Sequence, residues 1–254
     1  MDALSSVAAA PGVYVSLPDL VKLQYRAGRG SFKARQPVHS LLNGRHASRL
    51  RGRGLDFEEV RAYLPGDDVR AIDWRVTART GEAHTRVYTE ERDRPALLVV
   101  DQRLSMFYGT RLNLKSVTAA EAAALGAWKV FRAGDRVGAV VFDDTELTAL
   151  RPHRSRGHVL RILEAIVAKN RALHVDADMR PAPGMLNQAL AQARLLAGHD
   201  HVIALVSDFD GADAETRGLV AELAEHNDVI LMLVHDPSSK ELPDLGRAVV
   251  TGGK

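Results

Sequence analysis

Cysteine is absent from this chain of 254 residues. That absence removes disulfides, zinc ribbons, iron–sulfur clusters and thiol nucleophiles. Long apolar runs are missing too: none approaches the ~20 residues that a membrane-spanning helix requires. The opening segment, MDALSSVAAAPGVYV, places an acidic residue where a secretory signal wants basic ones, and its apolar stretch is weak. Neither a G-x-S-x-G elbow nor a G-x-G-x-x-G fingerprint occurs. Gly109 to Ser116 ends in Lys-Ser like a phosphate loop but lacks the second glycine before the lysine, so it reads as an ordinary lead into a helix. These gaps point to a soluble, cytoplasmic protein without an enzyme signature.

What is there is ordinary for a globular fold. Hydrophobic residues make up 46% and charged residues 26%, which excludes wholesale disorder. The length suits one α/β domain with an appendage, or two small domains. The net charge of +2 is unevenly spread. Between Leu20 and Leu55 lie nine basic residues (Lys22, Arg26, Arg29, Lys33, Arg35, Arg45, Arg49, Arg51 and Arg53) and no acidic one, leaving −7 for the remainder. Such a block implies an acidic partner. Nucleic acid fits the charge, but aromatic interleaving is sparse (Tyr25, Phe32) and no recognition motif occurs. An anionic membrane surface fits the apolar residues of Leu17 to Leu23. The simplest reading is intramolecular, with the block packed against the acidic C-terminal domain.

Along the chain, residues 1–16 read as a loose tail. Pro18 and the apolar positions Leu17, Leu20, Val21 and Leu23 predict a short helix stopped by Gly28 and Gly30, and Val38 to Leu42 a second helical piece. Alternating segments at Phe57 to Tyr63 and Ala83 to Tyr88 flank the turn Pro65 to Asp68, predicting a small antiparallel element. After Pro95 the texture becomes that of alternating strands and helices. Strands are predicted at Ala96 to Val100, Arg136 to Phe142, His201 to Ser207 and Val229 to Val234, with Thr145 to Leu150 as a hairpin partner across Asp143-Asp144. Helices are predicted at Asn113 to Phe131, His158 to Arg171, Met185 to Ala197 and Ala214 to His226. This pattern means an open, doubly wound sheet.

Ligands of such sheets sit at the carboxyl ends of the strands. Two strands there end in acid, VVDQRLS at Asp101 and LVSDFDG at Asp208, and Ser105 follows Asp101 by four residues. Converging aspartate and serine oxygens suit a hard cation such as Mg²⁺, although an aspartate at a strand end also commonly caps a loop or helix. His174-x-Asp176-x-Asp178 reads as a solvated polar loop. His153 and His158 lie among Arg151, Arg154 and Arg156, whose like charge disfavours a cation.

Arg61, Tyr63, Pro65, Gly66, Asp67, Asp68, Arg70, Ile72, Asp73 and Trp74 spell R-x-Y-x-PGDD-x-R-x-IDW, followed by Ala78-Arg79, Glu90-Glu91-Arg92 and the Asp101/Ser105 strand end. From about Leu41 to Gly211 the chain closely resembles the bacterial family known as domain of unknown function fifty-eight. The resemblance implies a von Willebrand factor A-like C-terminal fold with a metal-ion-dependent adhesion motif, D-x-S-x-S plus a later Thr and Asp. Asp101, Ser105 and Asp208 match its first Asp, second Ser and last Asp. Arg103 stands at the middle Ser, and no Thr or Ser occurs around Pro183-Gly184-Met185. A guanidinium cannot ligate a metal. If Arg103 points into the site it replaces the cation; if it points away, three oxygen ligands permit only weak Mg²⁺ or Mn²⁺ binding.

In the PGDD segment an acid–base pair competes with a structural reading. In the latter, Asp67 and Asp68 cap a helical turn, Arg61, Arg70 and Arg79 pair with carboxylates, and Trp74 packs beneath. The structural reading is preferred, because paired carboxylates make poor general acids. The same residues could form a docking surface, since Trp, Tyr and Arg dominate interfaces. The resulting expectation is an α/β protein: tail 1–16, basic helical and β-containing region 17–94, and a mostly parallel, doubly wound domain 95–254. Relatives in the family commonly accompany MoxR-type AAA+ ATPases. The resemblance therefore implies a non-enzymatic adaptor or chaperone-like module acting on client proteins, with neither a tightly held cofactor nor nucleic acid as partner. The competing class is a divalent-metal-dependent hydrolase or a nucleic-acid-binding protein using the basic block.

Overall fold

A computed structural model describes residues 12–28, 55–90, 94–173 and 180–239. Two units divide the chain, residues 1–33 with 94–254 and residues 34–93. Helix α1 (Leu17–Lys22) starts where Ser16, extended and hydrogen-bonding to the Asp19 amide, caps it and Pro18 fills the first turn.

In the smaller unit, β1 (Leu55–Ala62) pairs antiparallel with β2 (His84–Glu90) around helix α2 (Trp74–Thr80), as the alternation predicts. Among its described side chains only Asp73 and Thr85 are buried. Polar bonds therefore organise what is described of this unit. Asp73 caps α2 through the amides of Arg75 (3.0 Å) and Val76 (3.1 Å) and accepts Arg86 Nε at 2.8 Å. Trp74 does not pack beneath the segment. It is the first residue of α2 and 69% exposed, because the inward position goes to the capping Asp73.

The larger unit is a five-stranded sheet whose strands lie in the order 147–153 (β5), 137–142 (β4), 96–101 (β3), 202–207 (β6) and 228–233 (β7). Strands β3 (Ala96–Asp101), β4 (Val137–Phe142) and β6 (Val202–Ser207) are buried along their whole length, as continuous apolar runs between two helical layers must be. Edge strands β5 (Leu147–His153) and β7 (Asp228–Leu233) alternate between sheltered and exposed positions. β5 runs antiparallel to β4, and every other pair is parallel.

Helices α3 (Lys115–Ala133) and α4 (Arg156–Ala172) cover one face, meeting Ala96, Leu98 and Val100 of β3. Helices α5 (Met185–Leu196) and α6 (Ala214–Ala224) cover the other, meeting Leu97 and Val99. Successive β3 residues thus feed opposite cores, the two-residue period of a strand made visible.

The predicted boundaries shift where tertiary contacts intervene. Helix α3 begins at Lys115 rather than Asn113, because Leu114 is extended and donates its amide to the Gly12 carbonyl. A division at residue 17 also falls inside a packed segment. Val15, Leu20, Leu23 and Ala27 join the α3/α4 core, Tyr14 donates to the Leu173 carbonyl (2.8 Å), and Val15 N donates to Asn170 Oδ1 (2.9 Å). The helix expected at Val38 to Leu42, most of the basic block and the His174-Asp176-Asp178 loop lie outside the described residues. Charge divides unexpectedly between the units. Residues 94–254 carry 19 Lys/Arg against 20 Asp/Glu, whereas 56–93 carry six against ten. The acidic excess expected to receive the basic block therefore belongs mainly to the PGDD region.

Candidate functional site

The chain leaves β3 toward β4 on one side and later returns to place β6 on the other. The loops after β3 and β6 therefore diverge, opening the crevice where doubly wound sheets bind ligands. Asp101 ends β3 and Asp208 directly follows β6, so the two aspartates flank this crevice.

Arg103 points into it. Its guanidinium grips Asp101 with Nη2 at 2.7 Å from Oδ2 and Nε at 3.1 Å from Oδ1, while its backbone amide meets Oδ1 at 3.0 Å. Nη1 donates to the carbonyls of Asp210 (3.1 Å) and Pro183 (3.3 Å), and Nη2 lies 3.8 Å from Asp208 Oδ1. The guanidinium carbon stands 5.6 Å from the Phe142 ring centroid. Arg103 is 1% and Asp101 0% exposed, so bulk water cannot solvate either charge.

Ser207 Oγ donates to Asp101 Oδ2 at 2.6 Å and accepts the Phe209 amide at 2.8 Å. Phe209 sits at φ 57°, a left-handed conformation uncommon for a bulky residue. Asp208 receives Lys115 Nζ on Oδ2 (2.7 Å) and, on Oδ1, the Asp210 amide (3.0 Å) and Ser105 Oγ (3.4 Å). Asp144, after β4, accepts the amides of Leu104 (2.5 Å) and Ala182 (2.7 Å), tying two loops at the same edge. Gly211, at φ 73°, lets its backbone lie against Pro183, where a Cβ would collide with that ring.

Burial pushes the Asp101 carboxyl up, opposed by the Arg103 and Ser207 hydrogen bonds. Burial also disfavours the charged guanidinium, but the Asp101 contact outweighs it and holds Arg103 firmly protonated. We read the pair as an ion pair, with both Asp101 oxygens saturated by donors. Burial raises Asp208 as well, yet the Lys115 and Asp210 bonds prevail and hold it below the ordinary carboxylate range.

A divalent ion would need these oxygens free, and all four carboxylate oxygens of Asp101 and Asp208 already accept hydrogen bonds. A fixed cation stands between them, so the residues present do not fit the metal that the adhesion-type motif implies. Among the described residues no group of three or more His, Asp or Glu side chains has metal-holding geometry.

The expected residues Asp101, Arg103, Ser105 and Asp208 come together here. Lys115, Ser207 and Asp144 join them without having been singled out, although Lys115 lies in the phosphate-loop-like stretch. The PGDD segment is a separate construction. Arg61 forms a two-point bridge to Asp67 (2.8 and 2.9 Å), and Tyr63 OH donates to the Asp67 carbonyl at 3.3 Å. Pro65 and Gly66 (φ 104°) turn the chain. Asp68 caps a 3-10 turn through the Arg70 amide, so it is backbone rather than the Arg70 side chain that it accepts. Arg70 and Arg79 are exposed. The Arg86 hydrogen bond and two helix amides hold the Asp73 carboxyl below its ordinary value, which suits a cap and not a general acid.

A latch closes the β3–α3 loop. Asp236 accepts Thr110 N (2.8 Å) and Oγ1 (2.6 Å) together with Ser238 N (2.9 Å) and Oγ (2.6 Å). The Ser238 and Thr110 bonds hold its carboxyl far below the usual range. A depressed folded pKa means that the latch is complete above the unfolded aspartate value of about 3.9 and is lost as pH falls through the folded value. Asp236→Asn is expected to speed amide exchange at Thr110 and Ser238 severalfold at neutral pH. Unchanged exchange would deny the latch its role.

The model of the family described as "Protein of unknown function DUF58" matches residues 59–254. Uncharacterized protein Mb1516 of Mycobacterium bovis and uncharacterized protein Rv1480 of Mycobacterium tuberculosis are each 33% identical to the chain over 216 residues, or 85% of its length. The match covers 66% of each relative, just under two thirds of their length.

Proposed function

Because the chain belongs to the DUF58 family, whose description states no activity, we propose that it is a non-enzymatic protein–protein interaction module. In this reading it is a cytoplasmic adaptor of von Willebrand factor A-like architecture that engages a MoxR-type AAA+ ATPase, and client proteins, through the carboxyl-edge loops of its sheet. A parallel sheet with one antiparallel edge strand, helices on both faces and paired acids at the switch point supports the architecture. No described helix is long and apolar enough to cross a membrane.

The observation that carries the reading is the saturation of the crevice. A general base or nucleophile works through an uncommitted group within reach of substrate, whereas Asp101 and Asp208 are each committed to a charged donor, Arg103 and Lys115. Beside them the β3–α3 loop presents Leu112, 91% exposed, and Tyr108, half-exposed, as apolar contacts for a partner. Large side chains in such positions carry much of an interface's energy.

The test is binding of the purified full chain to a purified MoxR-type ATPase, measured by interferometry with ATP and with a chelator present. Binding is expected, and Leu112→Asp should weaken it about tenfold, equivalent to about 1.4 kcal/mol. Absence of binding in every nucleotide state, joined by Mg²⁺-dependent hydrolysis of a phosphodiester, would install the hydrolase reading instead.

A further inference from the structure

We infer that Arg103 is the resident cation of the carboxyl-edge site. It stands where a divalent ion would otherwise sit, and removing it converts the site into a divalent-cation site. Oxygen acceptors ring the guanidinium of Arg103. They are both Asp101 oxygens and the carbonyls of Pro183 and Asp210, with Asp208 Oδ1 at 3.8 Å from Nη2. Ser105 Oγ, bonded to the same Asp208 oxygen, borders this set. Carboxylate, carbonyl and hydroxyl oxygens converging on one centre are what a hard cation selects. Here the centre of that oxygen cage is filled by a group on the chain.

Charge supports the same conclusion. Arg103 and Lys115 bridge Asp101 and Asp208 respectively, while Asp144 at the same edge accepts two backbone amides. A dication entering here would meet a permanent positive charge and carboxylate oxygens that already accept hydrogen bonds. Without Arg103 the Asp101 carboxylate is left buried without its ion-pair partner. Such a carboxylate takes up either a proton or a replacement cation, because an isolated buried charge is strongly disfavoured, and the oxygens around it favour the cation. Arg103 also joins three loops, after β3, before α5 and after β6, so the edge keeps one shape whatever the divalent ion concentration.

Metal binding alone decides whether Arg103 is this cation, whatever partner the neighbouring loops engage. Mn²⁺ titrated into the full wild-type chain is expected to leave the Mn²⁺ paramagnetic resonance signal that of the free ion up to millimolar concentration, with no rise in melting temperature. Arg103→Ser, which restores a hydroxyl at the middle position of the motif, is expected to bind Mn²⁺ at least tenfold more tightly than wild type and to melt higher in its presence. Arg103→Lys keeps a cation and should not gain binding.

Wild-type Mn²⁺ binding that broadens the resonances of Ser105, Ser207 and Asp208 would overturn the inference whatever the variants do. A folded Arg103→Ser chain that ignores Mn²⁺ would overturn it as well. If that variant folds only with Mn²⁺ present, the exchange of one cation for the other is demonstrated directly; if it fails to fold even then, the exchange is refuted.

Discussion

Asp101→Asn is expected to destabilise the α/β unit by about 3–5 kcal/mol, the usual cost of leaving one member of a buried ion pair without its partner. The asparagine keeps the shape but cannot balance a guanidinium that is 1% exposed and cannot release its proton. Its NH2 must also face donors that need an acceptor, either the Arg103 amide on one side or Ser207 Oγ and Arg103 Nη2 on the other. For a unit of this size each kcal/mol lowers the melting temperature by roughly 2–4 °C, so a drop of the order of 10 °C is anticipated.

The pair itself is a different quantity from either half of it. Asp101→Leu combined with Arg103→Met removes both charges and should recover most of the loss, because a buried ion pair and a well-packed apolar pair of similar volume are often close in free energy. Urea unfolding of the single and double variants checks this. A single variant within about 1 kcal/mol of wild type would mean that water reaches Arg103 and that the site is not closed. A double variant no better than the single would mean that the guanidinium bonds to Pro183 and Asp210, lost only in the double variant, carry as much stability as the ion pair.

This site was only half legible in the sequence, and the division follows distance along the chain. Asp101, Arg103 and Ser105 lie within five residues, so their spacing and the motif they resemble expose them together. Asp208 is identified because it ends a strand. Lys115, Ser207 and Asp144 meet partners 93, 106 and 40 residues away, and no local pattern announces such pairings. The same contrast separates the elements. Strands β3, β4 and β6 are readable because burial on both faces leaves continuous apolar runs, and the β4–β5 hairpin because Asp143-Asp144 breaks one. Trp74 misled because a tryptophan among charges suggests a packed platform, whereas the cap at Asp73 fixes the start of α2 and turns Trp74 outward.

In the segment 12–28 the short helix was legible but its packing was not, since what orders it lies more than a hundred residues away. That makes Trp128→Ala the second large effect to expect. Trp128 is 1% exposed in the α3/α4 core, edge-on to Phe131 with centroids 6.2 Å apart, and its Nε1 donates to the Leu20 carbonyl at 3.0 Å. Leu20 lies near the end of a six-residue helix, where carbonyls lack partners of their own. The indole thus fills the core and completes α1 at the same time. Truncation to alanine is expected to cost about 3–5 kcal/mol, mostly through the cavity.

Trp128→Phe separates the two roles. It keeps most of the apolar volume, loses only the N–H, and should cost about 1 kcal/mol from that bond, plus a smaller packing loss. Its distinguishing effect is local. With the Leu20 carbonyl unpartnered, α1 opens more often than the sheet unfolds, so trypsin should cut after Lys22 and Arg26 faster than in wild type at unchanged urea m-value. If both variants unfold with wild-type midpoints, the segment merely rests on the core. If Trp128→Phe loses stability without faster cleavage at those two sites, α1 opens only with the whole unit, and its order is inseparable from that of the α3/α4 layer.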